Sequence, residues 1–134
     1  MSSFDRQRDV GLLVLRVGIG AMFMAHGWPK MAGGPAKWEA LGEAVAVFGI
    51  GFAPVFWGFM AAFAELVGGL LLALGVAFRP ACALLLSTMI VASARHIAQG
   101  DGFGKASHAI EAGILFFSLL LIGPGAYCLK GLRR

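Results

Sequence analysis

Charge is scarce in this sequence. Only 13% of its 134 residues are Asp, Glu, Lys or Arg, 59% are apolar and the mean hydropathy is +0.83, which lies outside the composition of soluble globular chains. Paired-cysteine motifs are missing too. Cys82 and Cys128 stand far apart, so the chain brings no dithiol redox centre of its own. No glycine-rich fingerprint joins a strand to a helix, which removes an intrinsic nucleotide cofactor. The net charge of +4 forms no basic stripe with interleaved aromatics, so nucleic acid is excluded as a partner. A cleaved leader is also absent from the expectation. The charged start Asp5-Arg6-Gln7-Arg8-Asp9 precedes an apolar run, but Arg16 interrupts that run and no small-x-small cleavage site follows; the segment reads as a retained first span.

Long apolar runs are what the sequence has. A helix needs roughly 17 to 25 mostly apolar residues to cross the hydrocarbon layer, and four such stretches fall at about 10–26, 54–78, 80–97 and 107–123. They predict a single all-α domain over 1–134, a four-transmembrane-helix bundle with the lipid bilayer as its solvent. Arg79-Pro80 predicts a tight turn between spans two and three, because proline suits the first turn of a helix and disfavours helix in the residue before it. In the long connection, Trp38, Leu41, Val45 and Phe48 follow Pro35 at helical spacing, which predicts a short amphipathic helix at the membrane interface; a covering loop is the plainer alternative. Gly11, Gly18 and Ala25 repeat every seven residues, as do Gly68 and Gly75, a pattern of helix packing rather than chemistry. Arg6, Arg8, Arg79, Lys130, Arg133 and Arg134 fall on the side of the termini, against Lys30, Lys37, Arg95 and Lys105 opposite, so both termini are expected in the cytoplasm.

Two ionisable residues lie where lipid should be. With span one ending near Gly27 and span two starting near Pro54, Arg16 and Glu65 each lie roughly 16 Å deep at about 1.5 Å per residue. A single charge at the bilayer centre costs about 2.5 to 3.5 kcal/mol on insertion scales, so an inward-facing Arg16–Glu65 contact is expected. The bland alternative is a pair that only fixes helix register.

A second group gathers at the opposite end from the termini: His26 and Lys30 close span one, Arg95 and His96 close span three, and His108 and Glu111 open span four. Topology brings them to one side, where they suggest a pocket. Singly, each histidine reads more plainly as an interfacial side chain. Three histidines and Glu111 offer metal-type donors, but their spacing is diffuse and no ligand doublet is present; no metal site is assigned. Met22, Met24, Met60 and Met89 read as packing, and Cys82 and Cys128, both at the terminal end, as free thiols.

Leu15-Arg16, Gly20, Phe23 and His26-Gly27-Trp28-Pro29-Lys30, followed by Glu65-Leu66-Val67-Gly68-Gly69, Gly75, Arg79, Glu111 and Gly123-Pro124-Gly125, resemble the DoxX family of small four-span bacterial membrane proteins. The resemblance covers roughly residues 10 to 127. It implies a four-helix bundle in the bacterial inner membrane, an association with redox chemistry, and Arg16, His26, Lys30, Glu65 and Glu111 as carried-over positions. The leading expectation is a quinone-interacting subunit of an oxidoreductase system, at most a membrane subunit rather than an enzyme by itself. In it His26, His96 or His108 hydrogen-bonds the head group beside Lys30, and Glu65 and Glu111 relay protons. Arg16 holds Glu65 ionised, and Phe23, Phe63 and Phe116 wall the isoprenoid tail. A partner redox subunit follows from that role. A non-catalytic scaffold for redox or stress proteins and a small solute or metal carrier stay open beside it, as does a homo-oligomer.

Overall fold

The computed structural model describes residues 2–129; Lys130, Arg133 and Arg134 of the charge count lie outside them. Helix α1 (Ser3–Ala32) starts at a capping box, in which Ser2 Oγ accepts from the Asp5 amide and the Asp5 carboxylate accepts from the Ser2 amide, each at 3.1 Å. At roughly 45 Å it outreaches a hydrocarbon layer of about 30 Å. It runs through Pro29 without ending, although proline leaves the carbonyl four residues back without its helical donor. The first span therefore extends well past His26 at one end and Val10 at the other.

A short helix, α2 (Gly34–Gly42), and a 3-10 turn at Glu43–Phe48 follow, and Gly49 in the left-handed conformation ends them. This is the expected amphipathic segment, and it packs on the bundle. A side chain at Gly42 would collide with the Pro54 carbonyl of α3 (Pro54–Leu74), and one at Gly58 with the Trp38 carbonyl, so the two backbones cross in direct contact. Trp38 packs edge-on against Phe59 at 5.1 Å and its Nε1 donates to the Lys30 carbonyl at 3.0 Å. The segment forms a lid fixed at both ends.

Helix α3 ends at Gly75, φ +69, with the Gly75 and Val76 amides donating to Leu72 and Leu71. The turn to α4 (Phe78–Ala98) is then residues 75–77, not Arg79-Pro80. Proline is tolerated throughout the first helical turn, whose amides have no intrahelical acceptor, so Pro80 marks the turn only to within a few residues. A loop at 99–102 leads to α5 (Phe103–Ile122).

The four long helices are each long and apolar enough to cross a membrane. They pack in the order α1, α3, α4, α5, around Leu12, Leu72, Phe78, Cys82, Leu85, Met89, Phe116 and Leu119. Both described ends of the chain lie at one end of the bundle, the terminal end; the lid covers the other. The small residues at the α1–α3 crossing are not the predicted ones. Gly11 and Gly18 meet nothing within 4 Å, whereas a Cβ at Gly20 would lie 2.5 Å from the Gly69 carbonyl oxygen and one at Gly27 2.5 Å from the Leu66 nitrogen. Period seven was the right signal in the wrong phase, because Gly20 and Gly27 repeat with the same spacing.

Candidate functional site

The α1–α3 crossing sets the register of the buried charges, and it corrects the expected pair. Gly27 opposes Glu65 and Leu66, Gly20 opposes Gly69 and Ala73, and Arg16 falls beside Gly75. Arg16 and Glu65 are therefore separated by about ten residues of α3, roughly 15 Å. Equal depth had been assumed from span ends at Gly27 and Pro54, but α1 continues to Ala32, and the first turn of α3 lies against the lid instead of against α1. Arg16, 2% exposed, donates from Nη1 to the Pro124 carbonyl at 2.8 Å.

Glu65 is instead met by Lys30. Lys30 Nζ donates to both carboxylate oxygens, at 2.7 and 2.8 Å, with the Glu65 side chain 4% exposed and that of Lys30 30%. Because α1 passes through Pro29, Lys30 stays on the helix one turn beyond Gly27 and reaches back to Glu65 across the glycine crossing.

This ion pair forms one wall of a cavity of about 820 Å³ between α3, α4 and the lid. The lid contributes Leu41, Val45 and Phe48; α3 contributes Trp57, Met60 and Ala61; α4 contributes Leu84, Thr88 and Val91 below Arg95 and His96. The lining is mostly apolar, with polar groups concentrated in a few side chains, the usual make-up of a small-molecule site. Trp57 Nε1 is buried and has no hydrogen-bond partner, a donor awaiting an acceptor.

The far wall is a clasp. His96 Nδ1 lies 2.7 Å from Asp101 Oδ2, which leaves the other ring nitrogen free. Arg95 Nη1 donates to the Ala40 carbonyl of the lid at 3.3 Å. With its amide turned to suit both neighbours, Gln99 joins Arg95 Nε at 3.2 Å to Asp101 at 3.3 Å. Asp101 is held below the ordinary carboxylate value, chiefly by its hydrogen bond to His96, with Lys105, His96 and Arg95 adding positive charge nearby.

Lys30, Glu65, Arg95 and His96 are thus brought together. His26, His108 and Glu111 line no part of this cavity. All three are exposed on the bundle's outer faces, His26 leaning edge-on against Phe23 at 6.4 Å. Phe23 meets Phe116 at 4.9 Å inside the core and Phe63 stacks on Phe59, so none of these three rings walls the cavity. Among the described residues no three His, Cys, Asp or Glu side chains gather closely enough to hold a metal ion. Sequence reading missed Trp57, the lid's contribution and the Asp101 clasp. The sequence signals were an indole three residues after the expected start of span two and an acidic residue five after His96.

The DoxX family model matches residues 11–96, more than half of the chain and all four of Lys30, Glu65, Arg95 and His96. The chain belongs to the DoxX family. No curated protein and no solved structure matches it. In this DoxX chain the matched segment carries the lid, the ion pair and most of the cavity, whereas α5 with His108 and Glu111 lies beyond it.

Proposed function

We propose that this DoxX-family protein is the quinone-interacting membrane subunit of an oxidoreductase system in a bacterial inner membrane, both termini cytoplasmic, with the cavity beneath the lid as the head-group site. The observation that carries the reading is an apolar cavity whose polar groups are almost all donors or a donor–carboxylate pair. A quinone presents a planar ring, two carbonyl acceptors and an apolar tail. The Trp57 Nε1 without a partner and Lys30 Nζ match the acceptors; the free nitrogen of His96, an acceptor while Nδ1 donates to Asp101, matches the hydroxyl of the reduced form. Leu41, Val45, Met60, Leu84 and Val91 match the ring faces and tail. A bound quinone would accept its electrons from a partner redox subunit.

The chain's own residues then orient and supply protons. Lys30 fixes the Glu65 carboxylate at the cavity wall through both of its oxygens, where it is placed to exchange a proton with a bound head group. His96, oriented by Asp101, presents its second nitrogen to the other side. Arg95 ties the lid to α4 beside the cavity.

Native mass spectrometry of the protein released from its own membranes in mild detergent tests this. A quinone-sized adduct is expected, lost in Lys30→Met and reduced in His96→Ala, but kept in His26→Ala, whose side chain lies outside the cavity. A chain that carries only other proteins, or an adduct indifferent to both cavity variants, would overturn the reading in favour of a scaffold.

A further inference from the structure

At the terminal end a second cleft, of about 580 Å³, lies between the start of α4 and the closing segment after α5. It takes no part in the lid-end site, and its character is different. Its walls carry Arg8, Asp9 and Arg79 together with Phe78, Ala126 and Leu129. The charges are unevenly settled. Arg8 already faces Asp9 at 3.4 Å and Asp5 at 3.8 Å; Arg79 is exposed and has no acidic partner among the described residues.

Behind the wall stands Arg16, 2% exposed. Its Nη1 lies where a Gly75 Cβ would be 2.5 Å away and is bonded to the Pro124 carbonyl; Gly75 and Pro124 both line the cleft. Arg16 Nε is buried without a partner. The twenty-one-residue helix α4 begins on the same wall at Ala77 with no side-chain cap. Its first amides and the positive end of its dipole therefore face the cleft without an internal acceptor. Among the described residues that line the cleft, Asp9 is the one carboxylate beside Arg8 and Arg79, with Arg16 behind the wall and the α4 N-terminus on it.

We infer that this cleft binds a phosphate ester, the head group of an anionic phospholipid from the surrounding leaflet. Arg79 and the α4 N-terminus hold the phosphate, Arg16 adds its field from behind, and Phe78, Ala126 and Leu129 lie along the glycerol and first methylenes. The position supports the lipid source. The cleft lies where four membrane-length helices end, so the head-group layer meets it, and its apolar side lets a chain leave towards the hydrocarbon. Arginine suits the role because its planar fork pairs with two phosphate oxygens at once. The inference is independent of the quinone reading.

The test is lipid retention by the full chain in mild detergent, followed by native mass spectrometry after exposure to phosphatidylglycerol, phosphatidylcholine or inorganic phosphate alone. Both lipids present the phosphate, but the choline ammonium of phosphatidylcholine offsets its charge and is repelled by the arginines, so phosphatidylglycerol is expected to remain bound about tenfold better. Arg79→Gln should bring the two lipids level. Because losing a positive charge also bears on membrane orientation, Ala126→Phe serves as a second variant. It fills the cleft with every charge in place and should abolish the preference. Displacement of the lipid by millimolar inorganic phosphate would support the phosphate site with a free anion as its occupant. Equal retention of both lipids by the parent chain, or a preference untouched by both variants, would overturn it.

Discussion

The two ends of the bundle each bury an ionisable side chain of the α1–α3 pair, and they satisfy it by different means. At the lid end a carboxylate, Glu65, is met by a mobile ammonium on the neighbouring helix, and the pair borders an 820 Å³ cavity. At the terminal end a guanidinium, Arg16, donates to the backbone carbonyl of Pro124 in the closing segment, which is itself tied to α3 through the Leu129 amide and the Leu74 carbonyl at 3.2 Å. A charge answered by a backbone carbonyl fixes the chain's path. A charge answered by a flexible side chain, next to open volume, can change partner when something enters. The difference makes Arg16 a fixed tie between α1 and the closing segment, and Lys30–Glu65 a side-chain pair beside open volume.

The sharpest way to break that comparison is a pair of double-mutant cycles. Lys30→Met leaves Glu65 buried without its counter-charge and is expected to destabilise by about 3 to 5 kcal/mol, whereas Lys30→Met with Glu65→Leu should recover most of the loss. Arg16→Leu removes one charged hydrogen bond, an expected cost of about 1.5 to 3 kcal/mol. The Arg16–Glu65 cycle should couple by less than about 0.5 kcal/mol, as for separated sites. Unfolding in mixed micelles measures all of these. A large Arg16–Glu65 coupling, or additive Lys30 and Glu65 losses, would reverse the roles of the two ends.

Smaller effects are expected from the glycines. Gly42→Ala forces the lid off α3 against a backbone carbonyl and should cost about 1 to 3 kcal/mol, with the cavity's ligand lost before the fold. Gly18→Ala meets open space and should be neutral or stabilise by about 0.5 to 1 kcal/mol, the usual gain in a helix interior. If Gly18→Ala were the more harmful of the two, a partner helix would have to cover that face.

How much of this was legible beforehand follows the physics of each signal. The four spans, the lid helix and Glu65 as a buried acidic group were readable, because hydropathy, helical spacing and the cost of a charge in lipid are local properties of the sequence. The partner of Glu65 was not. It depends on the axial offset of two helices, which Gly20 and Gly27 set through contacts with Gly69 and Leu66, and on Pro29 failing to end α1. A stripe of small residues reads the same in either phase until the facing helix is known, so Gly11 and Gly18 looked as good as Gly20 and Gly27. His26, His108 and Glu111 shared an end of the molecule with Lys30 and His96, but sharing an end does not fix the face on which a side chain emerges.

The smallest effect expected concerns the clasp that makes the lid end closable. Asp101 lies below its ordinary 3.8 because His96 hydrogen-bonds it and three cationic groups surround it. A carboxyl whose value is depressed by folding contributes stability that is fully present above its unfolded value and lost as the pH falls through the folded one. The clasp should therefore hold across neutral and mildly acidic pH and open only below the usual carboxylate range. Trp57 fluorescence and hydrogen exchange of residues 95–102 should be flat down to that range and then change together. Asp101→Asn should show the loosened exchange at every pH, with α1 and the terminal end unaffected. An opening already complete near pH 6 would place control on a histidine instead, and exchange that spread to the Pro124 segment would mean that the two ends are not independent.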